Sequence, residues 1–140
     1  MKLYVHEVIE KAQAAKTKKE KIEILKKYES WALKDVLKGT LDPKIKWSLP
    51  GGKPPYTPND GHNAPSNLLK KHTQFKYFVY GTVSQQLSPY KRESIFISLL
   101  EEIHPKDAEL VVSMINKEKF GGGITPALVN EAFPNLVSST

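Results

Sequence analysis

The chain has 140 residues, no cysteine and a formal net charge of +6. That length suits one ordinary domain, and the lack of Cys excludes a disulfide framework and a thiolate metal site. No apolar run approaches the ~20 residues of a membrane span, and Glu7 and Glu10 interrupt the first apolar stretch, where a secretory leader would carry no charge. A soluble protein of the cytoplasm, with no membrane partner, is expected.

The charge is unevenly spread. Residues 1–40 hold ten Lys and six acids, a balance of +4. Residues 41–92 hold seven Lys, Arg92 and two Asp, a balance of +6, whereas residues 93–140 hold three Lys and seven acids, a balance of −4. A basic excess favours a polyanionic partner, although an ordinary solvated surface has the same composition. Arg92 is the only arginine. Reading of guanine edges usually uses Arg, so lysine contact to phosphates, without sequence reading, is the natural expectation.

In chain order, Leu3, Val5, Val8, Ile9, Ala12 and Ala15 recur at helical spacing. They predict a first helix over about Leu3 to Lys16. Thr17 and Glu20 form a capping box for a second helix that runs to about Tyr28. Ser30 caps a short third helix with Trp31, Val36 and Leu37 inward, and Gly39 suits its C′ position. From Leu41 to Asn67 the pattern stops, with six prolines and three glycines. Ile45, Trp47, Leu49 and Tyr56 can anchor this stretch, which predicts a partly ordered strap over the helices.

Ser66 can cap a fourth helix over NLLKKHTQFKYFVYGT, ended by Gly81. Ser88 with Pro89, Pro105, and Thr125 with Pro126 mark three further helix starts. No alternating run suggests a strand. The expected fold is all-α, a single domain over residues 1–140 of about seven helices, with the strap at 41–67.

No catalytic constellation emerges. His6, His62, His72 and His104 lack metal-ligand spacing and are expected at the surface or at caps. Glu101 and Glu102 read as solvated surface, and no nucleophile motif or phosphate loop occurs. The expectation is a non-enzyme without cofactor or metal. Gly121, Gly122 and Gly123 precede Thr125 at a helix start. Such a run is either a turn between packed helices or a close backbone approach to a phosphodiester.

The stretch HPKDAELVVSMINKEKFGGGITPALVNEAFPNLV resembles the end of the N-terminal DNA-binding domain of ATP-dependent DNA ligases, the phage enzymes especially. Asp107, Ala108, Val111, Met114, Gly122, Ile124, Val129, Phe133, Pro134 and Leu136 carry the match. TKKEKIEILKKYESWALKDVLKGTLDPKIKW looks like that family's opening helices. The segments LPGGKPPYTPND and SPYKRESIFISLLEEIHP are similar to small stand-alone proteins of marine tailed phages. The K-x-D-G motif that takes AMP is absent, as is the basic residue some ligases carry beside the glycine turn, where Phe120 and Ile124 stand here. The resemblance therefore implies a ligase-N-terminal-domain-like fold and DNA contact, not ligation, in the cytoplasm of an infected bacterium.

Together these readings predict a non-catalytic module binding double-stranded DNA without sequence preference. Its contacts would be Lys44, Lys46, Lys53, Lys70, Lys71, Lys76, Lys91, Arg92, Gly121, Gly122, Gly123 and Thr125. The alternative is a protein-interaction module of a phage replication or virion assembly, or an inhibitor of a host factor. Its acidic last third and Pro-rich strap would then meet a phage or host protein.

Overall fold

A computed structural model describes residues 3–49, 52, 54–58, 67–81 and 86–137. Seven α-helices occur among them: α1 (Val5–Ala14), α2 (Lys18–Lys27), α3 (Trp31–Leu41), α4 (Leu68–Lys71), α5 (Pro89–Glu102), α6 (Pro105–Ile115) and α7 (Pro126–Ala132), with a 3₁₀ segment at His72–Tyr77. No strand is present among the described residues; an isolated antiparallel bridge joins Trp47 and Val79. No described helix is long and apolar enough to cross a membrane.

Local cap chemistry starts most of these helices. The side chains of Thr17, Ser30, Ser88 and Thr125 accept from the backbone N–H of Glu20, Leu33, Lys91 and Leu128, each satisfying an otherwise orphaned donor. His104 does the same for Lys106, as expected of a cap histidine. Glu20 reaches past the predicted partner and accepts from Lys16 N–H at 3.3 Å. Asn67, not Ser66, caps α4, accepting from Leu69 N–H at 2.8 Å; Ser66 and His62 lie outside the described residues.

α3 runs through the middle. Ala32, Leu33, Val36, Leu37, Gly39 and Thr40 are all buried on it, and it packs on α6, α4 and the 3₁₀ segment. Around it Leu25, Leu68, Phe78, Leu99, Leu100, Ile103, Val111 and Met114 fill one core. Trp31 is the exception: it stands 70% exposed, with Lys34 Nζ 4.8 Å above its ring. Gly39 does not end α3. A Cβ there would lie 2.6 Å from Trp47 Cζ2 and 2.8 Å from Met114 Sδ, so this glycine admits the strap's tryptophan. The indole N–H also donates to Gly39 O at 3.1 Å.

The predicted fourth helix breaks after one turn. It continues as the 3₁₀ segment, and only the chain beyond that meets the strap: Ser48 N–H donates to Phe78 O at 2.6 Å and Tyr80 N–H to Lys46 O at 2.7 Å. The aromatic and β-branched residues Phe78, Val79 and Tyr80 suit extended pairing, and the strap's backbone groups need partners where they leave water. Trp47, Leu49 and Tyr56 pack on the core as anticipated, whereas Ile45 lines a groove beside Trp47.

His6 is buried rather than at the surface. Asp107 Oδ1 accepts from His6 N–H at 3.0 Å and lies 2.7 Å from His6 Nδ1, tying the start of α1 to the start of α6. Glu102 pairs with Lys71 at 3.1 Å, and Glu101 accepts from Thr57 N–H at 2.8 Å, so the two carboxylates are engaged rather than merely solvated.

Candidate nucleic-acid interface

The last turn of α3, the strap residues that follow it, and the segment after α6 shape a run of three grooves. The first, about 470 Å³, is lined by Asp35, Lys38, Ile45, Trp47, Lys76 and Val79 among others. Ile45 and Trp47 also wall the second, about 490 Å³, which adds Pro43, Lys46 and Lys117. Thr40, Leu41 and Lys117 continue into the third, about 370 Å³, with Lys119, Gly121, Gly123, Thr125 and Pro126. Adjacent grooves share wall residues, so lysines from Lys76 to the glycine turn border one run of grooves, here called the trough.

The acids on this path are held. The Asp35 carboxylate bonds to the His72 ring, and Asp42 Oδ1 accepts from Lys44 N–H at 2.8 Å. Lys44, Lys46, Lys76 and Lys119 are exposed.

Lys117 is unusual. Its φ is +56°, and its N–H and that of Glu118 bond to Met114 O and Ser113 O, the two bonds of a Schellman turn whose left-handed position usually takes glycine. A lysine there carries backbone strain, of the kind that clusters at working sites. Its ammonium donates to Asp42 O at 2.8 Å. Burial pushes its pKa below the ordinary lysine value, partly opposed by the Asp42 carboxylate.

Of the predicted contacts, Lys46, Lys76, Gly121, Gly123 and Thr125 line the trough, and Lys44 sits between Pro43 and Ile45 at its edge. Lys53 lies outside the described residues. Lys70 and Lys71 sit on α4, where Lys71 pairs with Glu102. Lys91 is exposed on the first turn of α5. Arg92 is a correction: it is buried, and its guanidinium donates to Ser48 O and Leu87 O, each at 3.1 Å. It clamps α5 to the strap rather than facing a ligand.

The glycine turn has a packing role that its sequence left open. All three residues have positive φ. A Cβ on Gly122 would meet Gln13 Cβ at 2.7 Å, and one on Gly123 would meet Lys21 Cε at 3.0 Å. Gln13 Nε2 donates to Phe120 O at 2.8 Å, and Lys21 Nζ donates to the carbonyls of Ala12, Gln13 and Ala15 at the end of α1. Gly122 is thus a packing residue, and only its two neighbours border the trough.

Lys38, Lys117 and Lys119 join the site without having been anticipated. Lys38 reads as one more polar position on a helix. The other two belong to the acidic third, where a charge balance hides them. The polar run N-K-E-K after α6 is the signal that could have flagged them.

Among the described residues no group of three His, Cys, Asp or Glu is placed to hold a metal ion. Residues 8–119 match the family described as a family of unknown function, DUF6433. The chain belongs to that family. The match covers α1 from Val8 through α6 to Lys119 and leaves the glycine turn and α7 beyond it. No curated protein matches the chain.

Proposed function

We propose that this DUF6433 member is a non-catalytic module that binds DNA through its phosphates without reading sequence. The supporting observation is the linked trough, which gathers Lys38, Lys46, Lys76, Lys117 and Lys119 along one path. Lysines neutralise phosphates as point charges and do not discriminate bases. With Arg92 turned inward, no arginine is left for guanine edges. The likeness to ligase N-terminal domains agrees with this reading.

The test is fluorescence anisotropy on several unrelated blunt duplexes between ~50 and ~200 mM salt. Five neutralised phosphates give a slope of log K against log salt near −4 to −5, equal across sequences. Absence of binding at low salt by folded, monodisperse protein removes the proposal.

One observation favours the second reading, a protein-interaction module of a phage assembly or an inhibitor of a host factor. A groove of about 540 Å³ beside the exposed Trp31 is lined by Leu3, Val5, Tyr28, Leu33 and Leu69. Large exposed aromatics beside an apolar groove are a common anchor for a protein partner.

A further inference from the structure

Among the described residues three large hydrophobic side chains are strongly exposed: Trp31, Tyr80 at 66% and Tyr90 at 82%. The segments that carry the two tyrosines both meet the strap, Tyr80 through backbone bonds and the start of α5 through Arg92. Tyr80 N–H is bonded to Lys46 O, so Tyr80 stands beside a lysine of the trough. Two residues along, Ser48 pairs with Phe78, and the Arg92 guanidinium grips Ser48 O. Arg92 follows Tyr90 and Lys91 in the first turns of α5. The clamp therefore ties the start of α5, which carries the exposed Tyr90 and Lys91, to the strap two residues from Lys46.

Exposed rings on a basic edge suit a ligand with both phosphates and free aromatic faces. A closed duplex hides its base faces within the stack. An unpaired strand displays them, and base–aromatic stacking is tolerant of sequence. The lysines of the edge complement the charge of the strand's backbone.

We propose that Tyr80 and Tyr90 form a stacking platform for the unpaired nucleotides of a single-stranded tail, adjoining the trough that holds duplex phosphates. The inference rests on the DNA-binding reading. It adds a preference for duplex ends or junctions carrying a single strand over blunt duplex.

The experiment compares three ligands by anisotropy at fixed salt: a blunt duplex, the same duplex with a short oligo-dT tail, and the duplex with an abasic tail of equal length. The abasic tail keeps the added phosphates and removes the rings. The dT tail is expected to tighten binding by at least about fivefold over the abasic one, a conservative figure for one stacked base. The double variant Tyr80→Ala/Tyr90→Ala should lose that gain and still bind blunt duplex as the parent does. Tyr80→Phe/Tyr90→Phe should restore it, since the ring and not the hydroxyl stacks.

Equal binding of the dT and abasic tails, or a gain that survives both alanines, overturns the platform and leaves the phosphate reading standing. Failure to bind any of the three ligands overturns both. Thermal melting of each variant confirms that these exposed substitutions leave the fold intact.

Discussion

The glycine turn at 121–123 and the strap edge at 45–48 are both irregular backbone laid against helices, and they do opposite things with it. The turn spends two of its three left-handed residues on proximity: Gly122 lies on Gln13 and Gly123 on Lys21, locking α7 to the α1–α2 corner. The strap edge uses ordinary residues. It settles Ser48 N–H and Lys46 O on the 78–80 segment and leaves Lys46 and Tyr80 outward. The segment that stands out most in the sequence thus answers mainly to packing. The chemistry suited to a ligand sits on plainer residues that non-local pairing brings to one edge.

The sharpest break of this contrast is Gly122→Val. It forces a β-branched residue into the left-handed region and drives Cβ into Gln13, costing about 2–5 kcal/mol. Gly121→Ala, whose Cβ meets nothing within 4 Å, should cost only the strain, about 1–2 kcal/mol. Urea midpoints for the two variants check this. Equal losses would mean that the turn is not packed as described.

Gly39→Ala tests the strap's anchor. Displacing Trp47 and Met114 costs about 1–3 kcal/mol, offset by up to about 1 kcal/mol of helix propensity. In a Trp31→Phe background, the Trp47 emission should shift to the red as its ring is pushed outward. An unchanged spectrum and midpoint would show that the strap tolerates the methyl.

Lys117→Gly separates stability from binding. It relieves the left-handed strain and loses the bond to Asp42 O, so the melting temperature should change little. The salt slope of DNA binding should become shallower by about one unit, the share of one phosphate contact. A large stability loss with an unchanged slope would make Lys117 purely structural.

The smallest effect concerns His104, which stacks near His6, with ring centroids 4.7 Å apart. Burial, then His6, pushes its pKa below 6.5; Lys106 adds to this, while Asp107 and Glu7 oppose it. The unfolded chain then binds the proton first as pH falls. Folding stability is full above 6.5 and declines as pH drops toward the folded pKa. His104→Asn keeps a cap acceptor and removes this titration. Its melting temperature should fall less than the parent's on acidification below 6.5; parallel curves would exclude the contribution.

Much of the helical layout was legible because it is local. Thr17, Ser30, Ser88 with Pro89, and Thr125 with Pro126 announce helix starts through groups within three residues. What escaped was set at a distance. His6 finds Asp107 101 positions away, and Gly39 answers to Trp47 and Met114 rather than to a helix end. Residues 78–80 leave the helical pattern because the strap supplies backbone partners. Trp31 stays outside because Ala32, Leu33, Val36 and Leu37 supply the inward face of α3. Within the site, Lys46 and Lys76 were readable from the charge excess. Arg92 was not, because its two carbonyl partners come from the strap and from the segment before α5.

The most direct test of the trough is a comparison of two charge reversals of equal size, Lys46→Glu/Lys76→Glu and Lys70→Glu/Lys71→Glu, on the same blunt duplex. Both change the net charge equally, so long-range attraction is matched. The trough pair should weaken low-salt binding by at least about tenfold and make the salt slope shallower by about two units. The α4 pair, with Lys71 already engaged by Glu102, should leave the slope within about half a unit of the parent. Equal losses from the two pairs, with equal slopes, would contradict a trough that places the phosphates.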